Sequence, residues 1–404
     1  MQLLDLTLLA LQALPADFVL YPPACASVTM IQPSHAMKLV SPLLKRAVYP
    51  AAQRAGWLDH MMPPAGYGVV NYHGLLPPDH VPDPADAESF LDGNLVQPEV
   101  FRKQIQFLKL HYRVIHPNQF REWIEQGKAL PDRALLITCD DGLLNTLTDM
   151  LPILRDEDVS CLFFVTSASC GDDSGMLWYE ELYRLMRSNS FSGDDFQLPQ
   201  EKYPADNPAS GQASKNFQAR WWDAVRRASR LESGARADWM KRLRSQYCLE
   251  RNTVNHCAEK SPGKELSSEK RWRLLNISEL LRLAEAGMSI GAHTVSHPIL
   301  SLCSEDEARR EIQGSKTLLE KALGRPVWAF AYPFGNPATM GKREVNLARD
   351  AGFTCGFLNV EHWADLQSGF LALPRTHVSK DTTLPELAAH LSGLHARLQR
   401  TMGR

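Results

Sequence analysis

The chain of 404 residues carries 44 lysines and arginines against 46 aspartates and glutamates, a formal charge of −2. That balance excludes a general polyanion binder, because nucleic-acid-binding domains carry a strong basic excess. The length suits one large α/β domain with additions, or two domains. Eight cysteines, at positions 25, 139, 161, 170, 248, 257, 303 and 355, form no CxxC pair and no short disulfide framework. Most lie in apolar runs and read as buried thiols in a reducing compartment.

Leu3 to Leu14 is apolar, and Ala24-Cys25-Ala26 imitates a signal-peptidase site. No lysine or arginine precedes that run and Asp5 interrupts it, so a secretory signal is the weaker reading. No stretch reaches the roughly 20 apolar residues of a membrane span. Residues 1–36 also read as an upstream extension ahead of a start at Met37. Lys38, Lys45, Arg46 and Arg54 then make a small basic amphipathic segment, either a solvated helix face or a contact with a membrane surface.

Regular patterning begins at Val69-Val70-Asn71-Tyr72-His73, a strand ending in His73, followed by a Pro- and Asp-rich loop to about Asp92. A helix is predicted over Gln97–His111, a strand over Tyr112–Ile115 and a short helix over Asn118–Gly127. Ala134-Leu135-Leu136-Ile137 reads as a buried strand running into Thr138-Cys139-Asp140-Asp141-Gly142. A helix from about Leu143 to Asp156 and the strand Cys161–Thr166 follow. This βα repetition implies a mainly parallel sheet.

It stops near Asn189 and resumes at Asn276. Residues 188–216 read as a long polar loop, 217–250 as helical with Trp221, Trp222 and Trp239 available for burial, and 251–270 as loop. Between Arg220 and Arg251 stand nine Lys or Arg against four Asp or Glu. That segment is either a basic lid over an anionic substrate or a solvated helical pair with an aromatic underside. Asn276-Ile277-Ser278-Glu279 and Ser304-Glu305-Asp306-Glu307 are helix starts, and Gly287 and Gly324 the matching stops. Strands follow at Met288–Ala292, Val327–Tyr332, Phe353–Leu358 and Phe370–Leu373, with helices at about Lys342–Ala351 and Leu384–Leu398. The chain therefore divides into an N-terminal extension (1–66), a first barrel part (67–188), a loop and helical insertion (189–275) and a second barrel part (276–404). The expected fold is α/β, a deformed (β/α) barrel of about seven strands.

His73, Asp140-Asp141, His293 with His297, Tyr332-Pro333-Phe334 and Arg375-Thr376-His377 all fall at the C-terminal ends of predicted strands, where such barrels build their sites. Two adjacent carboxylates at a strand end repel and lose hydration, so one takes a proton or a cation sits between them, unless the turn is simply solvated. A carboxylate with two imidazoles is a normal ligand set for Zn²⁺ or a related divalent ion.

Thr138-Cys139-Asp140-Asp141-Gly142, His293-Thr294-Val295-Ser296-His297 and Phe330-Ala331-Tyr332-Pro333-Phe334-Gly335 resemble successive motifs of the polysaccharide deacetylases, the NodB-homology or carbohydrate esterase family 4 enzymes. Asn71-Tyr72-His73, Leu177-Trp178-Tyr179-Glu180 and Leu373-Pro374-Arg375 are supporting echoes. The resemblance implies metal-dependent removal of an N- or O-acetyl group from a sugar. Asp140 would be the general base, Asp141, His293 and His297 the metal ligands, and a backbone N–H near Phe334 an oxyanion donor, since Pro333 has none.

The family often has Phe or Tyr where Cys139 stands, and many members carry an arginine where Ala331 stands. Members with a Phe-Ala-Tyr-Pro motif share that lack, and Arg375 either supplies the missing cation or forms an ordinary surface ion pair. The general acid is expected at His377, with His73 and His362 behind it. His73, Trp178, Tyr332 and Phe334 are the expected substrate-facing residues. The implied protein is a cytoplasmic deacetylase, or one peripheral at the inner membrane, of an N-acetylated polysaccharide, glycolipid or precursor. It would use one divalent ion, Zn²⁺ or alternatively Co²⁺ or Ni²⁺, with no nucleic-acid partner. A hydrolase of another amide and a carbohydrate-binding barrel without turnover stay open.

Overall fold

A run of fully buried apolar residues makes β3 (Ala134–Cys139) the middle of a parallel sheet, with neighbours on both sides. The computed structural model describes residues 44–58, 66–78, 80, 90–170, 175–188, 217–251, 272–361 and 369–402. The signal-like stretch, Met37 and Lys38, most of the loops expected at 77–92 and 188–216, the loop at 252–270 and His362 lie outside them.

The other strands are β1 (Tyr67–Tyr72), β2 (Arg113–Val114), β4 (Leu162–Val165), β5 (Ser289–Ala292), β6 (Ala329–Ala331), β7 (Cys355–Phe357) and β8 (Thr376–His377). Their order is β7-β6-β5-β4-β3-β1-β8, every pair is parallel, and β2 pairs with the start of β3. The sheet curls back on itself. Leu373 bridges Phe357, the Leu358 N–H donates to the Leu373 carbonyl at 2.8 Å, and the Leu373 N–H to the Gly356 carbonyl at 2.8 Å. With β8 paired to β1, this is the expected deformed (β/α) barrel.

The helices are α1 (Tyr49–Arg54), α2 (Pro98–His111), α3 (Pro117–Gln126), α4 (Leu151–Asp156), α5 (Trp178–Ser188), α6 (Phe217–Ala228), α7 (Ser233–Arg251), α8 (Ile277–Glu285), α9 (Glu305–Leu323), α10 (Lys342–Asp350), α11 (Leu384–Leu391) and α12 (Leu394–Met402). The expected caps are present. Asn276 and Glu279 form a capping box on α8, Ser304 caps α9, and Gly324 ends it in the left-handed region at φ +63°.

Two expectations change at the C-terminal end. Of the segment expected as a last strand, Phe370–Leu373, all but Leu373 lies in a 3₁₀ turn (Gly369–Ala372), Leu373 forms only the isolated bridge, and the strand is Thr376–His377. Pro374 has no N–H to give, so pairing breaks after the Leu373 bridge and restarts beyond it. The closing helix is two helices, parted at Gly393 with φ +74°.

Strand alternation sorts the core into two faces. Val70, Ile137, Phe163, Val165, Phe330 and Tyr332 pack outward with residues of α2, α8, α9 and α10. Val69, Leu136, Phe164, Ala329, Ala331 and Phe357 pack on the other face, with Phe120 of α3 beside them. The insertion's Trp221, Trp239 and Met240 form a third cluster with Leu182 and Tyr183 of α5, so this segment is a helical pair with an aromatic underside. Part of the expected N-terminal extension docks on the barrel's last helices: Tyr49 packs with Ala389, Ala52 with Ala388, and Lys45 pairs with Glu386 at 2.7 Å. No helix among the described residues is long and apolar enough to cross a membrane.

Candidate metal-dependent active site

β1, β3, β5 and β6 deliver their polar residues to one end of the barrel, beside a cavity of about 520 Å³. At the end of β3 the chain turns sharply. The Gly142 N–H donates to the Asp140 carbonyl at 3.0 Å, with Asp141 at φ +75° between them. A second such turn holds Phe334 at φ +60°, closed by the Gly335 N–H on the Pro333 carbonyl at 2.7 Å. Thr294 and His297 are also left-handed, so four of the six non-glycine residues with positive φ among the described residues belong to this site. Such conformations are costly and persist where the surroundings dictate them, which is typical of functional sites.

Asp141 Oδ1 lies 3.4 Å from Nε2 of His293 and 3.4 Å from Nε2 of His297. All three side chains are buried, and a ligating atom from each lies within 4.8 Å of the others. His293 Nδ1–H donates to the Ala331 carbonyl at 2.8 Å, which leaves the lone pair of Nε2 facing the carboxylate. Two acceptors facing one another across a buried gap call for a positive charge between them. Burial pushes the Asp141 carboxyl up, but His293 and His297 more than offset this and hold it well below the usual carboxylate range. Burial lowers His293, yet Asp141 and Asp140 outweigh that and raise it. The cluster attracts a proton at the place where a divalent ion would sit, and its donor set fits one.

Asp140 forms a different partnership. Arg375 Nη1 and Nη2 donate to its two carboxylate oxygens at 2.7 and 2.6 Å, and Asn71 Nδ2 adds a bond at 2.9 Å. Arg375 also donates to the Leu358 carbonyl at 2.6 Å and to Asn71 Oδ1 at 2.9 Å, and its guanidinium lies over the Phe164 ring at 5.5 Å. It is 1% exposed, so this is a buried bidentate pair and not a surface ion pair. Burial pushes the Asp140 carboxyl up, but Arg375 and His293 more than offset it and hold it below its ordinary value.

Around this cluster, Tyr179 packs 5.1 Å from the His297 ring and 5.5 Å from Phe334, and Trp222 packs 5.7 Å from Phe334, all lining the cavity. His73 and Glu180 line it too. Burial, reinforced by Asp141, pushes the Glu180 carboxyl well above the usual range, and its Oε2 is buried without a hydrogen-bond partner.

Three expected site residues stand elsewhere. Tyr332 is fully buried on the outer face and donates to the Leu371 carbonyl at 2.8 Å, because alternation along β6 that points Ala331 inward points Tyr332 out. Trp178 stands behind His297, donating to its carbonyl at 3.3 Å with Arg236 over its ring, and Tyr179 takes the cavity-facing position. His377 lines a neighbouring cavity, its ring 5.0 Å from His73. Burial, reinforced by His73, lowers it to about 3.

Sequence reasoning missed the support behind the histidines. Glu311 of α9 accepts from the Val295 N–H at 2.9 Å, the Ser296 N–H at 2.8 Å and the Ser296 hydroxyl, and Arg236 of α7 reaches both Ser296 and Glu311. Nothing in the acidic pattern of α9 singles Glu311 out from Glu305, Asp306 or Glu307.

The family model described as Polysaccharide deacetylase matches residues 254–356. No curated protein matches the chain by sequence. Among solved structures, the chain is similar to the deacetylase PplD of Streptococcus pyogenes (16% identity over 80% of this chain and 97% of that one, TM-score 0.48). It is also similar to IcaB of Ammonifex degensii (15%, 81% and 97%, TM-score 0.47) and to a de-N-acetylase of Aggregatibacter actinomycetemcomitans (13%, 80% and 99%, TM-score 0.48). The matched stretch holds the His293–His297 and Phe330–Gly335 motifs, and folding brings both against Asp140-Asp141, so over that stretch the chain is similar to the polysaccharide deacetylases.

Proposed function

We propose that this protein is a metal-dependent deacetylase that hydrolyses the acetyl group of an N-acetylated sugar in a polysaccharide, a glycolipid or a precursor of either. The observation that carries this reading is the buried Asp140–Arg375 pair standing beside the Asp141–His293–His297 cluster at the floor of one cavity. Asp141, His293 and His297 would hold a divalent ion, Zn²⁺ by the nature of the donors, which would supply polarisation of the acyl carbonyl and acidification of water.

The chain's own groups do the rest. Asp140 is ionised and accepts the proton of the attacking water, while the two bonds from Arg375 keep its carboxylate plane fixed for that transfer. Arg375 thus fills, from just before the last strand, the place that Ala331 leaves. The Phe334 turn presents backbone N–H to the developing oxyanion. We assign return of a proton to the leaving amine to His73, which lines the cavity, with His377 behind it. Tyr179, Trp222 and Phe334 offer apolar faces to a sugar ring. Buried thiols at Cys139, Cys161, Cys303 and Cys355 support a reducing, cytoplasmic site of action.

The test follows acetate release from N-acetylglucosamine oligomers and from surface glycolipid, before and after chelation and after Zn²⁺ is restored. Chelator-sensitive acetate release is the expected result. Zinc uptake without acetate from any such substrate would transfer the site to another class of amide.

A further inference from the structure

A second group of ligand-type side chains lies outside this site. Glu361, in the loop after β7, His390 of α11 and His395 of α12 bring a ligating atom each within 4.8 Å of one another. They line a cavity of about 460 Å³, separate from the one above the Asp141 cluster. His390 Nδ1 contacts Glu361 Oε1, and its Nε2 lies 3.7 Å from Glu386 Oε1. The two imidazole rings lie 4.0 Å apart between centroids, tilted by 36°.

An ordinary ion pair explains only part of this arrangement. A protonated His390 between Glu361 and Glu386 needs no second imidazole against its face, and two imidazolium ions at that separation would repel. Tyr49 of α1 holds His395 Nδ1 at 2.5 Å, the bond that an outer partner makes to the non-ligating nitrogen of a metal-bound imidazole. Glu386, 4% exposed and lining the same cavity, keeps Oε2 buried without a hydrogen-bond partner although Lys45 occupies Oε1. A cation between Glu361 Oε1 and His390 Nδ1 would satisfy both, while Glu386 faces the opposite nitrogen of the same ring, where an outer partner stands.

We propose that Glu361, His390 and His395 form a second transition-metal site, suited to Zn²⁺ by its two imidazoles and one carboxylate, with Glu386 on the far nitrogen of His390 as an outer partner. Its ligands come from the loop after β7 and from both C-terminal helices, and its outer partner from α1. A bound ion would therefore add a tie between segments already joined by the Lys45–Glu386 pair and by apolar contacts such as Tyr49–Ala389 and Ala52–Ala388.

The experiment is Zn²⁺ titration of the metal-free full chain by calorimetry, with bound zinc counted by elemental analysis after dialysis. The wild type is expected to hold about two ions, His293→Ala and His395→Ala about one each, and the double variant none. Tyr49→Phe, which removes only the outer partner, is expected to weaken one of the two sites about 10- to 100-fold. That variant also serves should His395→Ala fail to fold. A folded His293→Ala protein that takes up no zinc, or equal zinc in the wild type and His395→Ala, would overturn the second site. Loss of all zinc in His395→Ala would instead sink the Asp141 site and leave this one standing.

Discussion

Asp140 and Asp141 are chemically identical neighbours with opposite surroundings. Alternation and the tight turn at Gly142 aim Asp140 at a guanidinium and Asp141 at two imidazole lone pairs. Asp140→Asn is expected to lower turnover about 10²–10⁴-fold with metal uptake unchanged, measured by acetate release beside zinc content. Arg375→Ala leaves a buried carboxylate without its partner, and the expected loss of stability is about 3–5 kcal/mol by denaturant titration. Arg375→Lys keeps the charge but not the fork, so turnover falls even where stability partly recovers. Gly142→Ala tests the turn: its Cβ would meet Val165 Cγ1 at 2.9 Å on a backbone at φ +77°. The expected cost is on the order of 1–3 kcal/mol.

The site depends, at the scale of elements, on parts distant in sequence. The loop after β5 carries His293 and His297 and would leave the Val295 and Ser296 N–H groups without partners, but Glu311 of α9 takes both, and Arg236 of the insertion bonds Ser296 and Glu311. Glu311→Gln is expected to weaken metal binding at the Asp141 cluster about 10- to 100-fold, because outer partners set ligand orientation. Zinc titration of the variant against His395→Ala reads that site alone, and an unchanged affinity would assign Glu311 a purely structural part. The insertion also supplies Trp221 and Trp222 to the cavity wall, while its Arg236 is buried against Ser296 and Glu311.

The whole molecule should be more stable at neutral than at acid pH. Burial holds His377 at about 3, against an ordinary value of 6.5, so below 6.5 the unfolded chain takes up a proton that the folded chain refuses. Stability therefore rises with pH across that window and is lost as pH falls from 6.5 toward about 3. Asp140 acts in the same direction at lower pH. Its folded value is depressed, so its contribution is present above the usual carboxylate range and disappears on acidification through the folded value. Urea titrations at stepped pH should show a shallower acid-side fall in His377→Asn than in the wild type, and an identical slope would remove His377 as a cause.

The sequence by itself determined the alternating βα order, the helix caps at Asn276 and Ser304, the parallel sheet and the gathering of polar residues at strand ends. Each is local: periodicity, a capping side chain or a turn glycine acts over a few residues. Only the tertiary structure decided which of those polar residues meet. Tyr332 and Trp178 looked equivalent to Phe334 and Tyr179 along the chain, and the parity of β6 and the start of α5 turned one of each pair away from the cavity. Glu311, Arg236 and the Tyr49–His395 contact join segments 15 to 346 positions apart. No local pattern records such pairings, because they arise when the sheet curls and brings α1, the insertion and the last helices onto one frame.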